Sequence, residues 1–339
     1  MALVRARELG IRIGSAEAGP LDAITDVRGI RVGHCTLVEG DDVRTGVTVI
    51  VPGELPLFAG AHRLNGNGEL TGLEWVRESG LLTTAIGLTN TFSVGVVRDA
   101  LAAATPGEWT LPVVGETYDG FLNDARGQHV RAEHVERALA DAAGGPVAEG
   151  NVGGGTGMIC HGFKGGIGTA SRVVDDGWTV GVLVQANHGR RARFRVDGVP
   201  VGERIGDRIP LPAGPEGAGS IIGIVAADAP LLPGQCERLA QRVGLGVARV
   251  GGVGEHGSGD LFLAFATGNR GLAALEEDRP ETVALEAFPN ARMTPLFDAV
   301  VEATEEAILN ALLAAETMTG RDGRTVHGLD PELLVAVCH

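Results

Sequence analysis

Cysteine, aromatic residues and long apolar runs are all scarce in this chain of 339 residues. The four cysteines form no CxxC pair, which disfavours a zinc site or a disulfide framework; they are Cys35, Cys160, Cys236 and Cys338. No run approaches the ~18 apolar residues of a membrane span, and the first residues lack the apolar core of a signal peptide. We therefore expect a cytoplasmic protein that does not contact a membrane.

Positive charge is also in short supply. The formal net charge is −15 and the sequence pI is about 5.0. Binding to nucleic acid depends on Lys and Arg side chains that neutralise phosphates, so no nucleic-acid partner is expected. The composition fits an enzyme whose acidic pocket would suit the ammonium group of a small substrate.

Glycine, by contrast, is abundant at 53 residues, which predicts tight turns and close backbone packing. Strand-like and helix-like segments alternate without a strict βαβ rhythm, and this favours a layered α/β (α+β) protein over a Rossmann fold. We predict a single domain over residues 1–339. Strands are predicted in 25–52, 81–90, 178–187, 220–227 and 260–268, and helices in 69–79, 93–104, 129–145 and 232–244.

Three further segments carry local predictions. Residues 189–219 are polar at first and end in PLPAGPEGAG, which is typical of an irregular, exposed segment where chains are cut. A strand is predicted near 246–251. A long helix is predicted from about 294 to 317, with three acids on its exposed face: Glu302, Glu305 and Glu306.

Glycine-rich motifs and histidines are the obvious candidates for ligand sites. Residues 252–257, GVGEHG, match GxGxxG, but a strand follows where dinucleotide binding needs a helix. The stretch 150–168 has no P-loop spacing; it is either a loop where backbones approach closely or a set of N–H groups lining an active site. The nine histidines show neither HxxH nor HExxH spacing. The sequence therefore predicts no cofactor and no metal.

The junction between the Pro/Gly loop and the strand at 220–227 has an unusual layout. The loop delivers Gly219 directly into an apolar strand whose first residue is Ser220. A serine after a glycine is usually only a turn residue. An N-terminal nucleophile hydrolase, however, needs this layout, because it must be cut where a loop meets the edge of a sheet.

Six segments together resemble the DmpA/BapA family of β-aminopeptidases and L-aminopeptidase/D-Ala-esterases, which are N-terminal nucleophile hydrolases. The resemblance runs from about residue 24 to residue 317 and implies an αββα sandwich of the DmpA/ornithine-acetyltransferase type, usually a homotetramer of cleaved two-chain protomers. The segments are ITDVRGIRVGHCT (24–36), GETYDGFLND (115–124), GNVGGGTGMICHGFKGGIGTASR (150–172), VLVQANHG (182–189), GSIIGIVAADAPLLPGQ (219–235) and SGDLFLAFATGN (258–269).

The resemblance also implies a role for particular residues. Ser220 would be the nucleophile and Gly219–Ser220 the scissile bond, and Ser258 and Asp260 would support the new amino terminus. The family commonly has Glu where this chain has Asp260. The two products of cleavage would be an α-chain of residues 1–219 and a β-chain of residues 220–339.

Three further residues match the family around the pocket. Asn187 and Tyr118 fall at positions that stabilise the oxyanion, and Glu116 would line the same pocket. A free α-amine has a reference pKa of about 7.7–8.0, so the amine of a liberated Ser220 could act as the base for its own hydroxyl. The expected substrates are small peptides, amides or esters, which lose their amino-terminal residue through an acyl-enzyme.

Two alternatives remain open at the level of sequence. The first is a related enzyme of the same fold, either a hydrolase of ω-amino acid oligomers (nylon-type amides) or an acyltransferase. The transferase cleaves itself at threonine, so Ser220 weighs against it. The second is an uncleaved, non-catalytic binding protein, and the presence of Gly219, Ser220, Ser258 and Asp260 together speaks against it.

Overall fold

The computed structural model describes residues 4–107, 109–174, 177–213, 219–272 and 282–338. The strands are β1 (Arg31–Glu39), β2 (Val43–Val51), β3 (Leu57–Gly66), β4 (Leu81–Leu82), β5 (Ile86–Asn90), β6 (Val113–Thr117), β7 (Ile159–Cys160), β8 (Phe163–Lys164), β9 (Gly166–Val173), β10 (Thr179–Asn187), β11 (Ser220–Ala227), β12 (Gly259–Ala266), β13 (Met318–Thr319) and β14 (Thr325–Val326). The α-helices are α1 (Leu73–Ser79), α2 (Val94–Ala104), α3 (Ala132–Asp141), α4 (Val201–Ile205), α5 (Pro233–Arg249), α6 (Met293–Leu313) and α7 (Pro331–Cys338).

Two larger sheets form the centre of the molecule. The six-stranded sheet has the order β4-β3-β12-β11-β10-β9, and the four-stranded sheet has the order β1-β2-β5-β6. Within these sheets the pairs β11–β12 and β5–β6 are parallel, whereas the other pairs are antiparallel. The predicted strands at 178–187, 220–227 and 260–268 are thus confirmed as three adjacent central strands.

The helices cover the outer faces of the two sheets. Helices α5 and α6 pack on the six-stranded sheet, and α2 and α3 pack on the four-stranded sheet. A separate apolar core fills the space between the sheets, where Ile222, Ile224 and Leu263 meet Ile86 and Leu88. These layers form the αββα sandwich that the sequence resemblance implies.

Strand β11 shows how the sequence positions the candidate nucleophile. Successive side chains of a strand point to opposite faces. Ile221 and Val225 belong to the core beneath the helices, whereas Ile222 and Ile224 belong to the core between the sheets. Ser220 shares the face of Ile222 and Ile224, so its hydroxyl is directed toward the space between the two sheets.

Two predicted strands are wrong. The segment 81–90 forms two strands rather than one, because β4 joins β3 of one sheet and β5 joins β2 of the other. The segment 246–251 mostly continues helix α5. A Cβ atom on Gly246 would lie 2.5 Å from Cβ of Thr304, so glycine here allows α5 to approach α6 closely. Gly246, which interrupts the helical pattern in the sequence, thus allows α5 and α6 to pack closely in the fold.

The predicted exposure of the acidic face of α6 is also wrong. The helix is confirmed, but Glu305 and Glu306 are fully buried. Glu306 pairs with Arg172 at 2.5 Å and with Arg7 at 2.9 Å, and Glu305 pairs with Arg249. Helical spacing identified a common face for these acids, but it could not identify the arginines that reach it from distant segments.

The segment 189–219 is more ordered than predicted. It contains helix α4, whose Val201 and Ile205 are buried, and a buried Arg191. Residues 214–218, which include much of the predicted cutting loop, lie outside the described residues. Among the helices in the described ranges, none combines the length and the apolar character needed to cross a membrane.

Candidate active site

Ser220 lies at the first position of β11, between two strand ends. Asn187 at the end of β10 is its direct partner on one side, and Ile221 pairs with Asp260 on the other. The main-chain N–H of Gly259 donates a hydrogen bond of 2.9 Å to Ser220 Oγ. The side chain is buried. The sheet therefore holds this hydroxyl in one place, with an oxygen lone pair engaged.

Gly219 sits where no other residue fits without movement. A Cβ atom at this position would lie 1.7 Å from the main-chain oxygen of Asn187 and 2.7 Å from its carbonyl carbon. Contacts below 3.0 Å require the backbone to shift. The backbone of Gly219 is therefore packed closely against the end of β10.

Ser258 and Asp260 form a buried pair beside Ser220. Ser258 Oγ donates a hydrogen bond of 2.5 Å to Asp260 Oδ1. Burial, aided by the nearby charge of Glu255, raises the pKa of Asp260 to about 6, although hydrogen bonds from Ser258 and from the N–H of Ile221 oppose the rise. The carboxylate is ionised at neutral pH and faces the start of β11.

Asn187 is fixed by two hydrogen bonds. Its Oδ1 accepts a hydrogen bond of 2.7 Å from the N–H of Ile159, and its Nδ2 donates one of 3.0 Å to the main-chain oxygen of Tyr118. The Tyr118 side chain is 50% exposed and its hydroxyl lies over Gly120. The structure therefore joins Tyr118 to Asn187 through its main chain, while its phenol group stays at the surface.

Glu116 lies in β6 of the other sheet and is buried. Oε1 accepts the N–H of Glu69 at 3.0 Å, and Oε2 accepts the hydroxyl of Thr91. Burial raises the pKa of this carboxyl, against the effect of those two bonds. Gly68 lies between Glu116 and Gly259, the residue whose N–H binds Ser220 Oγ. A Cβ atom on Gly68 would lie 3.1 Å from both Glu116 Oε1 and Gly259 Cα.

A cleft of about 500 Å³ opens beside Gly68. Its walls include side chains of both charges and an indole ring, among them Arg63, Glu69 and Trp75. This volume lies within the usual range for small-molecule pockets. The cleft adjoins Gly259 through Gly68, but its lining does not include Ser220 or Glu116, so it lies beside the candidate site and does not contain it.

The comparison with known families decides the identity of this arrangement. Residues 22–326 match the model of peptidase family S58. The chain belongs to peptidase family S58. The S58 match covers both sheets, Gly219, Ser220 and the Ser258–Asp260 pair.

Relatives of this S58 chain extend over nearly its whole length. It is 46% identical to the β-peptidyl aminopeptidase BapA of Sphingosinicella microcystinivorans, an alignment that covers 98% of this chain and 91% of that protein. A β-aminopeptidase structure from Burkholderia sp. superposes with a TM-score of 0.93 at 56% identity, covering 98% of each chain. The L-aminopeptidase D-Ala-esterase/amidase of Ochrobactrum anthropi superposes with a TM-score of 0.90 at 41% identity, covering 98% of this chain and 97% of that one.

These comparisons confirm the family and the enzyme class that the sequence resemblance implies. The Ochrobactrum structure is described as a prototype of the serine aminopeptidases and a variant of the N-terminal nucleophile hydrolase fold. The present chain has the same fold and is an aminopeptidase of the N-terminal nucleophile type.

The sequence did not single out two buried polar residues of this S58 site. Lys164, the only lysine in the chain, is fully buried and donates to the main-chain oxygens of Met158 at 2.8 Å and Gly165 at 2.7 Å. Burial lowers its pKa to about 7. Asp119 is buried next to Tyr118, and burial raises its pKa to about 6. The fact that Lys164 is the only lysine in a chain rich in arginine could have drawn attention to it.

Proposed function

We propose that this S58 aminopeptidase cuts itself between Gly219 and Ser220 and then uses Ser220 as an N-terminal nucleophile on small peptides, amides or esters. One observation carries the proposal. The Ser220 hydroxyl accepts a hydrogen bond from Gly259 N–H at the start of a strand, and it directly follows a position where any Cβ atom would clash with the main chain of Asn187. The chain would become an α-chain, 1–219, and a β-chain, 220–339.

Self-cleavage begins with attack of Ser220 Oγ on the carbonyl carbon of Gly219. The C–N bond breaks, the nitrogen keeps its electron pair and takes up the hydroxyl proton, and an ester links the two residues. Water then hydrolyses the ester, which frees the Gly219 carboxyl and the Ser220 hydroxyl. The tight contact of Gly219 with Asn187 limits the conformations open to this peptide and favours the attack.

Turnover uses the amine that cleavage creates. An α-amine with a pKa of about 7.7–8.0 is partly neutral near pH 7 and accepts the Oγ proton, directly or through water. Ser220 then attacks the substrate carbonyl, the amine product leaves, and water hydrolyses the acyl-enzyme. Asp260, with Ser258 bound to it, lies where it can orient the ammonium form of this amine.

Asn187 is the side chain best placed to stabilise the oxyanion. Ile159 fixes its Oδ1, so the amide nitrogen is aimed toward the site and keeps a second hydrogen for a ligand. Removal of one such donor typically costs ~10²–10³ in rate. Tyr118 would assist only if its phenol turned inward when substrate binds, because its hydroxyl lies over Gly120 in the uncleaved chain.

Glu116 is the acid we assign to the substrate's own amino group. It is buried within reach of the Gly68–Gly259 contact, and an ammonium partner would stabilise its ionised form. An acid at this place selects substrates with a free amine at a fixed distance from the scissile carbonyl. Because two similar proteins are named β-aminopeptidases, we propose β-amino acid residues as the preferred amino-terminal group.

The assembly and the compartment are proposed on the family resemblance. We propose a homotetramer in the cytoplasm. Exposed apolar side chains near the site, Leu64 and Val253, flank Gly254 and would suit burial between subunits.

Hydrolysis of p-nitroanilides tests the function. The wild-type chain should release nitroaniline from β-homoalanyl-p-nitroanilide, and more slowly from L-alanyl-p-nitroanilide, whereas Ser220→Ala should release none. Glu116→Gln should raise KM more than it lowers kcat, because it removes the partner of the substrate ammonium. Absence of activity on any amide or ester would support a binding protein instead.

A further inference from the structure

A buried cluster of one thiol and two imidazoles lies behind the strand end that carries Asn187. Cys160 Sγ is 3.7 Å from His188 Nδ1, and the rings of His161 and His188 have centroids 5.1 Å apart. All three side chains are buried. The N–H of His161 donates 2.7 Å to the main-chain oxygen of His188, so the turn after β7 is tied to the end of β10.

The hydrogen bonds of His161 leave one nitrogen free to act as a ligand. Its Nδ1 lies 3.2 Å from the main-chain oxygen of Arg190, and a carbonyl can only accept, so Nδ1 carries the proton. Nε2 then presents a bare lone pair, and it is buried without a hydrogen-bond partner among the residues that the structure describes. Metal-bound histidines typically have this arrangement, with the other nitrogen donating to a backbone carbonyl.

His188 adds a second unsatisfied imidazole nitrogen. Within the described part of the chain its Nε2 is also buried without a hydrogen-bond partner, and its Nδ1 contacts the Cys160 thiol. Two orphaned ring nitrogens in one buried cluster are costly unless something binds there. One ligand atom each from Cys160, His161 and His188 lies within 4.8 Å of the others.

We propose that Cys160, His161 and His188 form a three-ligand site for a soft metal cation, Cu⁺ or Zn²⁺. Thiolate and imidazole are the ligands that both ions prefer. Metal–nitrogen and metal–sulfur bonds of about 2.0–2.3 Å require the widest ligand pair to close by roughly 1 Å. The Cys160 thiol releases its proton to the buffer as the sulfur–metal bond forms, and no electron is transferred.

The charges around the cluster favour the ion of lower charge. Burial lowers the pKa of His161 to about 4 and holds that of His188 well below its usual value, while it raises the pKa of the Cys160 thiol to about 12. The ionic neighbour of His161 is the cationic Arg191, and that of Cys160 is Lys164, whose pKa burial lowers to about 7. Cu⁺ with one thiolate is neutral, so it suits these neighbours better than Zn²⁺ does.

Sequence spacing could not reveal this site. His188 is 28 residues from Cys160, and the fold brings them together because β7, which belongs to a separate two-stranded sheet with β8, contacts β10. The cluster is distinct from the catalytic groups, since Cys160 belongs to the core beneath the helices, whereas Ser220 faces the space between the sheets. It does not depend on the proposed function.

Metal titration of the full-length, reduced chain tests the proposal. Cu⁺ is added anaerobically in competition with bicinchoninate, and Zn²⁺ is added in competition with zincon. We expect one ion per chain, with Cu⁺ bound more tightly, and the release of one proton per ion. Cys160→Ala should weaken binding by more than about a hundredfold, whereas Cys236→Ala, which removes another buried thiol, should leave it unchanged.

A second variant and a spectrum guard against misfolding. His161→Asn keeps a residue that tolerates the positive φ of 49° at this turn, and it should also weaken binding. Co²⁺ should give a near-ultraviolet thiolate charge-transfer band in the wild type that is absent from Cys160→Ala. Failure of both Cu⁺ and Zn²⁺ to bind the wild type, or equal binding by a folded Cys160→Ala, would overturn the proposal.

Discussion

Gly219 and Asn187 lie in such close contact that a single added carbon on residue 219 would overlap the Asn187 carbonyl at 1.7 Å. This contact places the candidate scissile peptide against the residue that is the proposed oxyanion donor. The main chain of Asn187 therefore leaves no room for a side chain at position 219, and a larger residue there would move the Gly219 carbonyl relative to Ser220 Oγ.

Gly219→Ala should slow self-cleavage by at least about a hundredfold, because the methyl group displaces the scissile carbonyl from its attack position. The intact fraction after purification, followed over days by denaturing electrophoresis, measures this rate. Gly257→Ala is the matched control, since a Cβ atom there meets nothing within 4 Å. Equal cleavage of Gly219→Ala and wild type would show that the contact has no role.

The chain's local patterns predicted most of the layers but not their contacts. The apolar strand at 220–227 and the helix near 294–317 were correct because their periodicity is local. The burial of Glu305 and Glu306 was missed, because Arg7, Arg172 and Arg249 reach them from distant parts of the chain. Periodicity records which residues share a face, whereas pairing depends on the whole topology.

The same limit applies to the site. The family resemblance predicts roles for Ser220, Ser258 and Asp260, and the fold places the three around adjacent strand starts. The resemblance could not show that Tyr118 meets Asn187 through its main chain, since the side-chain direction depends on a turn at Gly120. The glycine-rich stretch 150–168 does supply an N–H group to the site, from Ile159.

Two ionisations should control the pH dependence of turnover. Asp260 has a raised pKa of about 6, so it loses its charge as the pH falls through this value. The Ser220 amine must be neutral to act as base, so activity also rises toward about pH 8. Below about pH 6 kcat/KM should fall with the second power of proton concentration, and in Asp260→Asn with the first power.

A pH series of kcat/KM on β-homoalanyl-p-nitroanilide, measured for the wild type and for Asp260→Asn, shows whether the acid limb depends on the second or the first power of proton concentration. The ammonium of Ser220 favours the ionised form of Asp260, so the steeper limb begins at or somewhat below pH 6. Identical limbs in the wild type and in Asp260→Asn would remove this carboxylate from the account of catalysis.

Lys164→Met should lower kcat by about tenfold or more and leave KM nearly unchanged. The ammonium group organises the main-chain oxygens of Gly155, Met158 and Gly165, and the N–H of Ile159 in the same loop positions Asn187. Unsatisfied buried carbonyls cost about 1–3 kcal/mol in stability. Steady-state kinetics with thermal unfolding of the same sample measure both effects; a change in KM alone would argue against a positioning role.

Arg172→Met should reduce the free energy of unfolding by about 3–5 kcal/mol at neutral pH, because it removes the buried cation between Glu306 and Glu302 and leaves Glu306 with Arg7 alone. The fully buried guanidinium lies 2.5 Å from Glu306 and 3.2 Å from Glu302. Arg77→Met, which breaks the exposed pair with Glu74, should cost about 1 kcal/mol or less. Urea denaturation of the two variants makes the comparison, and equal losses would show that burial of the Arg172 pairs carries no special weight.

Intact mass spectrometry of the freshly purified protein, with N-terminal sequencing of each fragment, tests the central claim most directly. The account predicts two fragments in place of the 34.9 kDa chain, the smaller one beginning at Ser220 with the sequence Ser-Ile-Ile-Gly-Ile, and a single intact species for Ser220→Ala. A wild-type chain that stays intact at full mass after long incubation would contradict self-cleavage and, with it, the N-terminal nucleophile assigned to Ser220.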